Sequence, residues 1–205
     1  MAERTRESNR LRWLLHDLDP GLRIAARKFA YGPAVRRARQ HLAAFDGDDI
    51  AVQIALELLD RIEQLTATER RYAVQIRDLV RRDYGYVLDL PGCGELTAAK
   101  LLGEIGDITR FASDAKLAMH AGVAPIPVSS GRSNRVRLNR RGNRQLNVAI
   151  HRIAITQLAC HPPARAFVER RRRDGKSTTE AIRALKRHIT RAAYNVLSQA
   201  DTAPT

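Results

Sequence analysis

Ser129-Ser130-Gly131 sets two hydroxyls beside a glycine, and Arg132, Arg135, Arg137, Arg140, Arg141 and Arg144 follow with no acidic residue among them. A serine oxygen can attack a phosphodiester, and guanidinium groups can neutralise the phosphate and stabilise charge in the transition state. Serine and glycine are also ordinary loop residues, so the tripeptide alone leaves open whether either hydroxyl reacts. No histidine or lysine stands close by in the sequence to take the proton.

A second constellation is Leu90-Pro91-Gly92-Cys93-Gly94-Glu95, followed at once by an alanine- and leucine-rich stretch. Proline fixes its own φ and glycine tolerates positive φ, so a tight turn opening a helix is predicted, with a helix-hairpin-helix at about residues 86–106. Free N–H groups and the positive dipole end at the second helix's start suit a phosphate, which makes Gly92 and Gly94 candidate nucleic-acid contacts. A packed turn between core helices fits the same residues. Glu95 counts against phosphate contact, because a carboxylate in the first turn can occupy that positive site. Ala99 would let the two helices approach closely.

Other chemistry is poorly served. Asp46, Asp48 and Asp49 form the one acidic cluster, and their placement around a glycine just before a helix is the composition of a turn with an N-cap rather than of a metal centre. Cys93 and Cys160 lack metal-ligand spacing and read as buried thiols, and the six histidines share no metal spacing either. No cofactor is therefore expected in this chain.

The elements that must position these residues are helical. Formal charge is +14 over 205 residues, and it is uneven: residues 1–84 carry 16 Lys and Arg against 13 Asp and Glu, residues 85–205 carry 20 against 9. The C-terminal part is the polyanion-binding part. No apolar run approaches the roughly 20 residues needed to span a bilayer, and the N-terminus is charged, so a cytoplasmic protein without membrane contact is expected. Leu11, Leu14, Leu15 and Leu18 mark an amphipathic helix. Ala51, Ala55, Leu58, Ile62, Leu65, Tyr72, Ile76 and Leu79 form a heptad stripe in a stretch, Ile50 to Arg82, free of proline and glycine. A helix that long, about 50 Å at 1.5 Å per residue, needs a partner helix or a second copy of the chain. Pro125 and Pro127 forbid a helix, and alternation of Val136 and Leu138 with arginines predicts a short basic loop or ribbon within 123–142. Further helices follow, separated near His161-Pro162 and Gly175-Lys176, and the last exposes Arg183, Lys186, Arg187 and Arg191. The fold expected is all-α: a protruding antiparallel coiled-coil arm over 1–84, which self-associates, and a compact helical domain over 85–205. Asn143 and Lys176 join the arginines as candidate nucleic-acid contacts.

The ordered motifs Leu90-Pro91-Gly92-Cys93-Gly94 with Thr97-Ala98, Glu104-Ile105-Gly106-Asp107-Ile108 with Phe111, His120-Ala121-Gly122-Val123-Ala124-Pro125, Ser129-Ser130-Gly131 and Arg141-Gly142-Asn143 resemble the C-terminal domain of bacterial insertion-sequence transposases with a RuvC-like DEDD N-terminal domain, the bridge-RNA-guided serine recombinases. Asn9-Arg10-Leu11-Arg12-Trp13 to Asp19-Pro20 is similar to the start of their interdomain coiled coil, and Gly175-Lys176 with the final basic helix to their C-terminal end. The resemblance implies DNA and a guide RNA as partners, and a serine that bonds covalently to DNA, with Ser130 the nucleophile and Ser129 the fallback. It also implies an acidic Mg²⁺-binding domain ahead of residue 1, so this chain looks like a truncated copy, inactive alone. Two other functions compete with a transposase: a non-catalytic helix-hairpin-helix protein that binds nucleic acid, and a structural coiled-coil adaptor, which leaves the C-terminal charge unexplained.

Overall fold

The computed structural model describes the backbone of residues 2–130, 133–137, 139 and 141–201, and the side chains of these except 127–130, 133–137 and 201. In chain order the elements are α1 (Ala2–Leu18), α2 (Gly32–Leu42), α3 (Ile50–Asp83), α4 (Glu95–Ile105), α5 (Asp114–His120), β1 (Ile126–Ser130), β2 (Ser133–Arg137), α6 (Arg144–Cys160), α7 (Pro162–Arg173) and α8 (Thr178–Asp201). Short 3₁₀ turns lie at Ala26–Ala30, Gly85–Asp89 and Ile108–Arg110. The all-α expectation agrees with this helical chain, and the sheet among the described residues is a single two-stranded ribbon, β1 with β2.

The residues group into two compact units, Met1–Gln75 and Ile76–Thr205. In the first, Leu11 and Leu15 of α1, Phe29, Val35 and Ala38 of the next segments and Val52, Ala55, Leu59 and Ile62 of α3 form one buried cluster. Burial of this kind gives about 25 cal/mol per Å² of apolar surface removed from water. Ion pairs add orientation: Arg4 to Glu69 at 2.9 Å, Arg61 to Glu3 at 2.5 Å, and Arg39 to both Asp60 and Glu63. The Asp46 and Asp49 carboxylates accept from the backbone N–H groups of Asp48 and Ala51, so the acidic cluster is a turn that caps α3.

The α3 stripe divides. Its first half, to Ile62, is buried in the first unit, whereas Tyr72, Ile76 and Leu79 are exposed.

In the second unit α6 is central. Leu146, Ile150, Ile153 and Ala154 of α6 meet Ala98, Leu101 and Ile105 of α4 and Ala181, Leu185, Ile189, Ala193 and Leu197 of α8, with Val80 from the end of α3. The fully buried small residue of α4 is Ala98; Ala99 is only partly buried. The segment entering the Pro91-Gly92 turn is a five-residue 3₁₀ turn, not an α-helix. Cys93 is buried, and burial pushes its thiol up to about 11. Cys160 departs from expectation: it is exposed, because it ends α6 beyond the buried face whose last member is Gln157.

Candidate nucleic-acid interface

The ribbon carries the serine motif. Its strands pair antiparallel, Ile126 opposite Arg137, Val128 opposite Arg135, Ser129 opposite Asn134 and Ser130 opposite Ser133. Ser130 is thus the last residue of β1, and Arg135 stands opposite a residue two positions before it, roughly 7 Å along the strand. Gly131, Arg132 and Arg140 lie outside the described residues.

What holds the ribbon is its base. Helix α5 ends at His120, and the N–H groups of both Val123 and Ala124 turn back to the Ala118 carbonyl at 3.0 and 3.1 Å. Gly122 makes that reversal with φ of 66°, a conformation open to glycine at little cost. The returning chain then crosses it. A Cβ at Gly142 would stand 2.3 Å from the Gly122 Cα and N, so the two backbones touch where no side chain fits. The Asn143 N–H donates to the His120 carbonyl at 2.6 Å, and the Asn139 side-chain amide donates to the Met119 carbonyl at 3.1 Å.

Asn143 is engaged at both ends of its amide. Its Oδ1 accepts from the N–H groups of Gln145 and Leu146, capping α6, and its Nδ2 donates to Glu104 at 2.8 Å. Arg141 and Arg144, on either side of it, are exposed and make no salt bridge among the described residues.

The Pro91-Gly92 turn is packed rather than open. Gly92 has φ of 77°, and a Cβ there would lie 3.1 Å from the Ile153 carbonyl oxygen and the Gln157 nitrogen. The buried Gln157 donates to the Pro91 carbonyl at 2.7 Å. Gly94 is the exposed N-cap of α4, with open space around it. Glu95 fills the first turn: its own N–H and Arg81, at 2.9 Å from the guanidinium Nε, hold its carboxyl below the ordinary carboxylate value. A protein carboxylate therefore already neutralises the positive end of α4.

Two important residues carry no sequence signal of their own. Asn147 donates to the Ala121 carbonyl at 2.8 Å and accepts from Lys186, which ties the segment before the ribbon to α6 and α8. Only the i, i+4 spacing of Asn143 and Asn147 on a helix with a buried face could have pointed to the first. Lys186, expected on the exposed face of α8, is half-buried, and burial first, then Arg183, lowers its pKa. Asp114 bridges α5 to α8 through Arg187 at 2.7 Å and Arg191 at 3.1 Å, which hold its carboxyl below the usual range. Lys176 follows Gly175, whose φ is 81°, and lines a cavity together with Val123, Ala124 and Pro125.

Residues 85–169, which run from the 3₁₀ turn at Gly85 into α7, match the family model described as transposase, IS116/IS110/IS902 family. A 42 kDa protein of insertion element IS900 from Mycobacterium paratuberculosis is 30% identical over 158 residues, 75% of this chain and 40% of that protein. A 43.6 kDa protein of insertion element IS110 from Streptomyces coelicolor is 41% identical over 99 residues, 48% of this chain and 24% of that protein. A pilin gene-inverting protein of Moraxella bovis is 33% identical over 113 residues, 54% of this chain and 35% of that protein. At its widest the match spans about two-fifths of a relative's length.

The packing at the ribbon's base sets a test. Gly142→Ala should cost roughly 1–3 kcal/mol, since the backbone it meets cannot swing aside. Gly103→Ala, in the exposed interior of α4 with nothing within 4 Å, should instead gain about 0.5–1 kcal/mol. Urea unfolding of the two variants measures both.

Proposed function

We propose that this chain is part of a transposase of a mobile insertion sequence, binding DNA at the ribbon and contributing Ser130 as nucleophile in strand exchange. The family match supports a bacterial insertion-sequence transposase, and relatives named as insertion-element and gene-inverting proteins support a recombinase. The observation that carries the proposal is that the matched residues are those that build the ribbon and lock its base.

Binding runs chiefly through phosphates. Arg135, Arg137, Arg141 and Arg144, with Lys176 and the two arginines outside the described residues, Arg132 and Arg140, form the surface, whereas Gly94 is set aside because Glu95 occupies the helix end it caps. Gly92 and Asn143 act by shaping it, given how each is packed or bonded. In the chemical step the Ser130 Oγ bonds to phosphorus as the bond from phosphorus to one ester oxygen breaks, and the serine proton is taken by a base while the departing oxygen receives a proton and leaves as a hydroxyl, so that no net proton is gained or lost. Ser129 is the fallback nucleophile. Among the described residues no three His, Cys, Asp or Glu side chains gather into a metal site. On this reading the group that activates the serine, with Mg²⁺, is supplied by a separate acidic portion, and a guide RNA is a partner of the complex together with DNA.

Removing one cation that neutralises a phosphate should lower the slope of log affinity against log salt by about 1. Arg141→Gln with Arg144→Gln should therefore flatten it by about 2; an unchanged affinity and slope would make these arginines solvated surface only.

Chemistry is tested by mixing the chain with the acidic portion of a longer relative, guide RNA, Mg²⁺ and labelled DNA. A denaturation-resistant adduct should form and vanish with Ser130→Ala. An adduct that disappears only with Ser129→Ala moves the nucleophile by one residue, and one surviving both substitutions ends the serine mechanism. No adduct alongside intact salt-dependent binding leaves a nucleic-acid-binding module.

Self-association through α3 is the remaining part of the proposal. Tyr72, Ile76 and Leu79 lie at i, i+4 and i+7 and are exposed, a short apolar seam suited to a second copy. Ile62 is fully buried in its own unit, so a charge there would unfold it rather than separate copies. Ile76→Glu with Leu79→Glu should turn a concentration-dependent dimer into a monomer of unchanged helicity in sedimentation. A wild-type chain that stays monomeric at high concentration would remove the seam.

A further inference from the structure

Beside the ribbon's entry the second unit holds a cavity of about 410 Å³, within the range of small-ligand sites. One wall is the segment Gly122–Pro125, which runs directly into β1, and the opposite wall is the first half of α8 with the end of α7. Its apolar lining comes from Val123, Ala124, Pro125, Ala181 and Ala184. Five cations stand around it, Arg171, Lys176, Arg183, Lys186 and Arg187, against one carboxylate, Glu180. That carboxylate is already committed: it accepts from both the N–H and the hydroxyl of Ser177 at the start of α8, which holds its pKa low. Arg171, Lys176 and Arg183 make no salt bridge among the described residues. Arg187 directs Nη2 to Asp114 but keeps Nη1 buried without a hydrogen-bond partner.

An apolar slot bordered by cations, of which Arg171, Lys176 and Arg183 make no salt bridge among the described residues, fits an object with a flat, weakly polar face and an attached anion. A single nucleotide is such an object: its base lies against apolar and guanidinium surfaces, and its phosphate meets the cations. We propose that this cavity receives one unpaired nucleotide of the strand held along the ribbon, base inward and phosphate toward Arg183 and Arg187. The inference rests on the nucleic-acid reading of the ribbon and adds a preference for unpaired positions. Extruding a paired base breaks its pairing and stacking, and a bulged one loses much less, so a cavity of this kind selects distorted or single-stranded sites without reading sequence.

The test uses the full 205-residue chain and three fluorescent duplexes: fully paired, with a one-nucleotide bulge, and with an abasic bulge, each made in DNA and in RNA. Expected is at least a tenfold tighter Kd for the bulge than for the paired duplex, abolished with the abasic bulge. Whichever of the DNA and RNA series shows it identifies the source of the nucleotide. Ala184→Trp, and the milder Ala184→Leu, should remove the preference by filling the cavity while leaving paired-duplex affinity within twofold. Ala184 is partly exposed on a helix, and retained duplex binding reports that each variant is folded. No bulge preference with paired-duplex binding intact overturns this inference alone, as does a preference that persists in both filled variants. Failure to bind any duplex overturns the nucleic-acid reading beneath it. Displacement of the bulge probe by polyglutamate as readily as by unlabelled bulge would assign the cavity to an acidic protein segment and overturn the proposal.

Discussion

The contact between the backbones of Gly122 and Gly142 is the constraint on which the candidate site depends, because it leaves room for neither a side chain nor a shift. It closes the loop that begins at the end of α5 and returns at the start of α6. A ribbon of two five-residue strands has little stability by itself. Its position is inherited from a crossing of two chain segments fixed by packing and by the hydrogen bonds of Asn139 and Asn143.

Helix α6 extends that logic along its length. Asn143 caps the helix and ties it to Glu104, Asn147 holds Ala121, and Gln157 holds Pro91. Three amides at the start of α6 and along it therefore anchor helix α4 and two non-helical segments, while the apolar residues between them build the core. Each amide carries both a donor and an acceptor, so it can fix a backbone carbonyl without placing a net charge in a partly buried site. Replacing any of them with an apolar residue would leave a carbonyl or N–H unpaired, a cost of about 1–3 kcal/mol where that group is buried.

Much of this was legible from residue types. The helices, the turn at Pro91-Gly92, the aspartate turn that caps α3 and the extended ribbon within 123–142 follow from local chemistry, since proline, glycine and capping side chains act on their own neighbours. Hidden were the facts that depend on the partner of a contact. Gly142 reads as a loop glycine until Gly122 is brought against it, and Asn143 reads as a candidate nucleic-acid contact until both ends of its amide find partners within the chain. The stripe on α3 was visible as one pattern, yet half of it serves the first unit's own core and half is left open. A sequence period reports which residues share a face and not how many neighbours cover that face.

The same distinction governs charge. A net positive C-terminal region is a statement about a sum, and the structure divides it into cations with partners and cations without. Arg187 and Arg191 are engaged by Asp114, while Glu95 of this region is engaged by Arg81 at the end of α3. Because Glu95 also fills the first turn of α4, the positive helix end that made the Pro91-Gly92 turn attractive for phosphate is largely neutralised from within. What is left for a polyanion is displaced toward the ribbon's base, where Arg141 and Arg144 are exposed, and toward the junction of α7 and α8, where Arg171, Lys176 and Arg183 gather. Both groups border the same reversal of chain, since Gly142 beside Arg141 packs on Gly122 and the cations at the junction of α7 and α8 share a cavity with Gly122–Pro125, so that segment is where backbone geometry and charge come together.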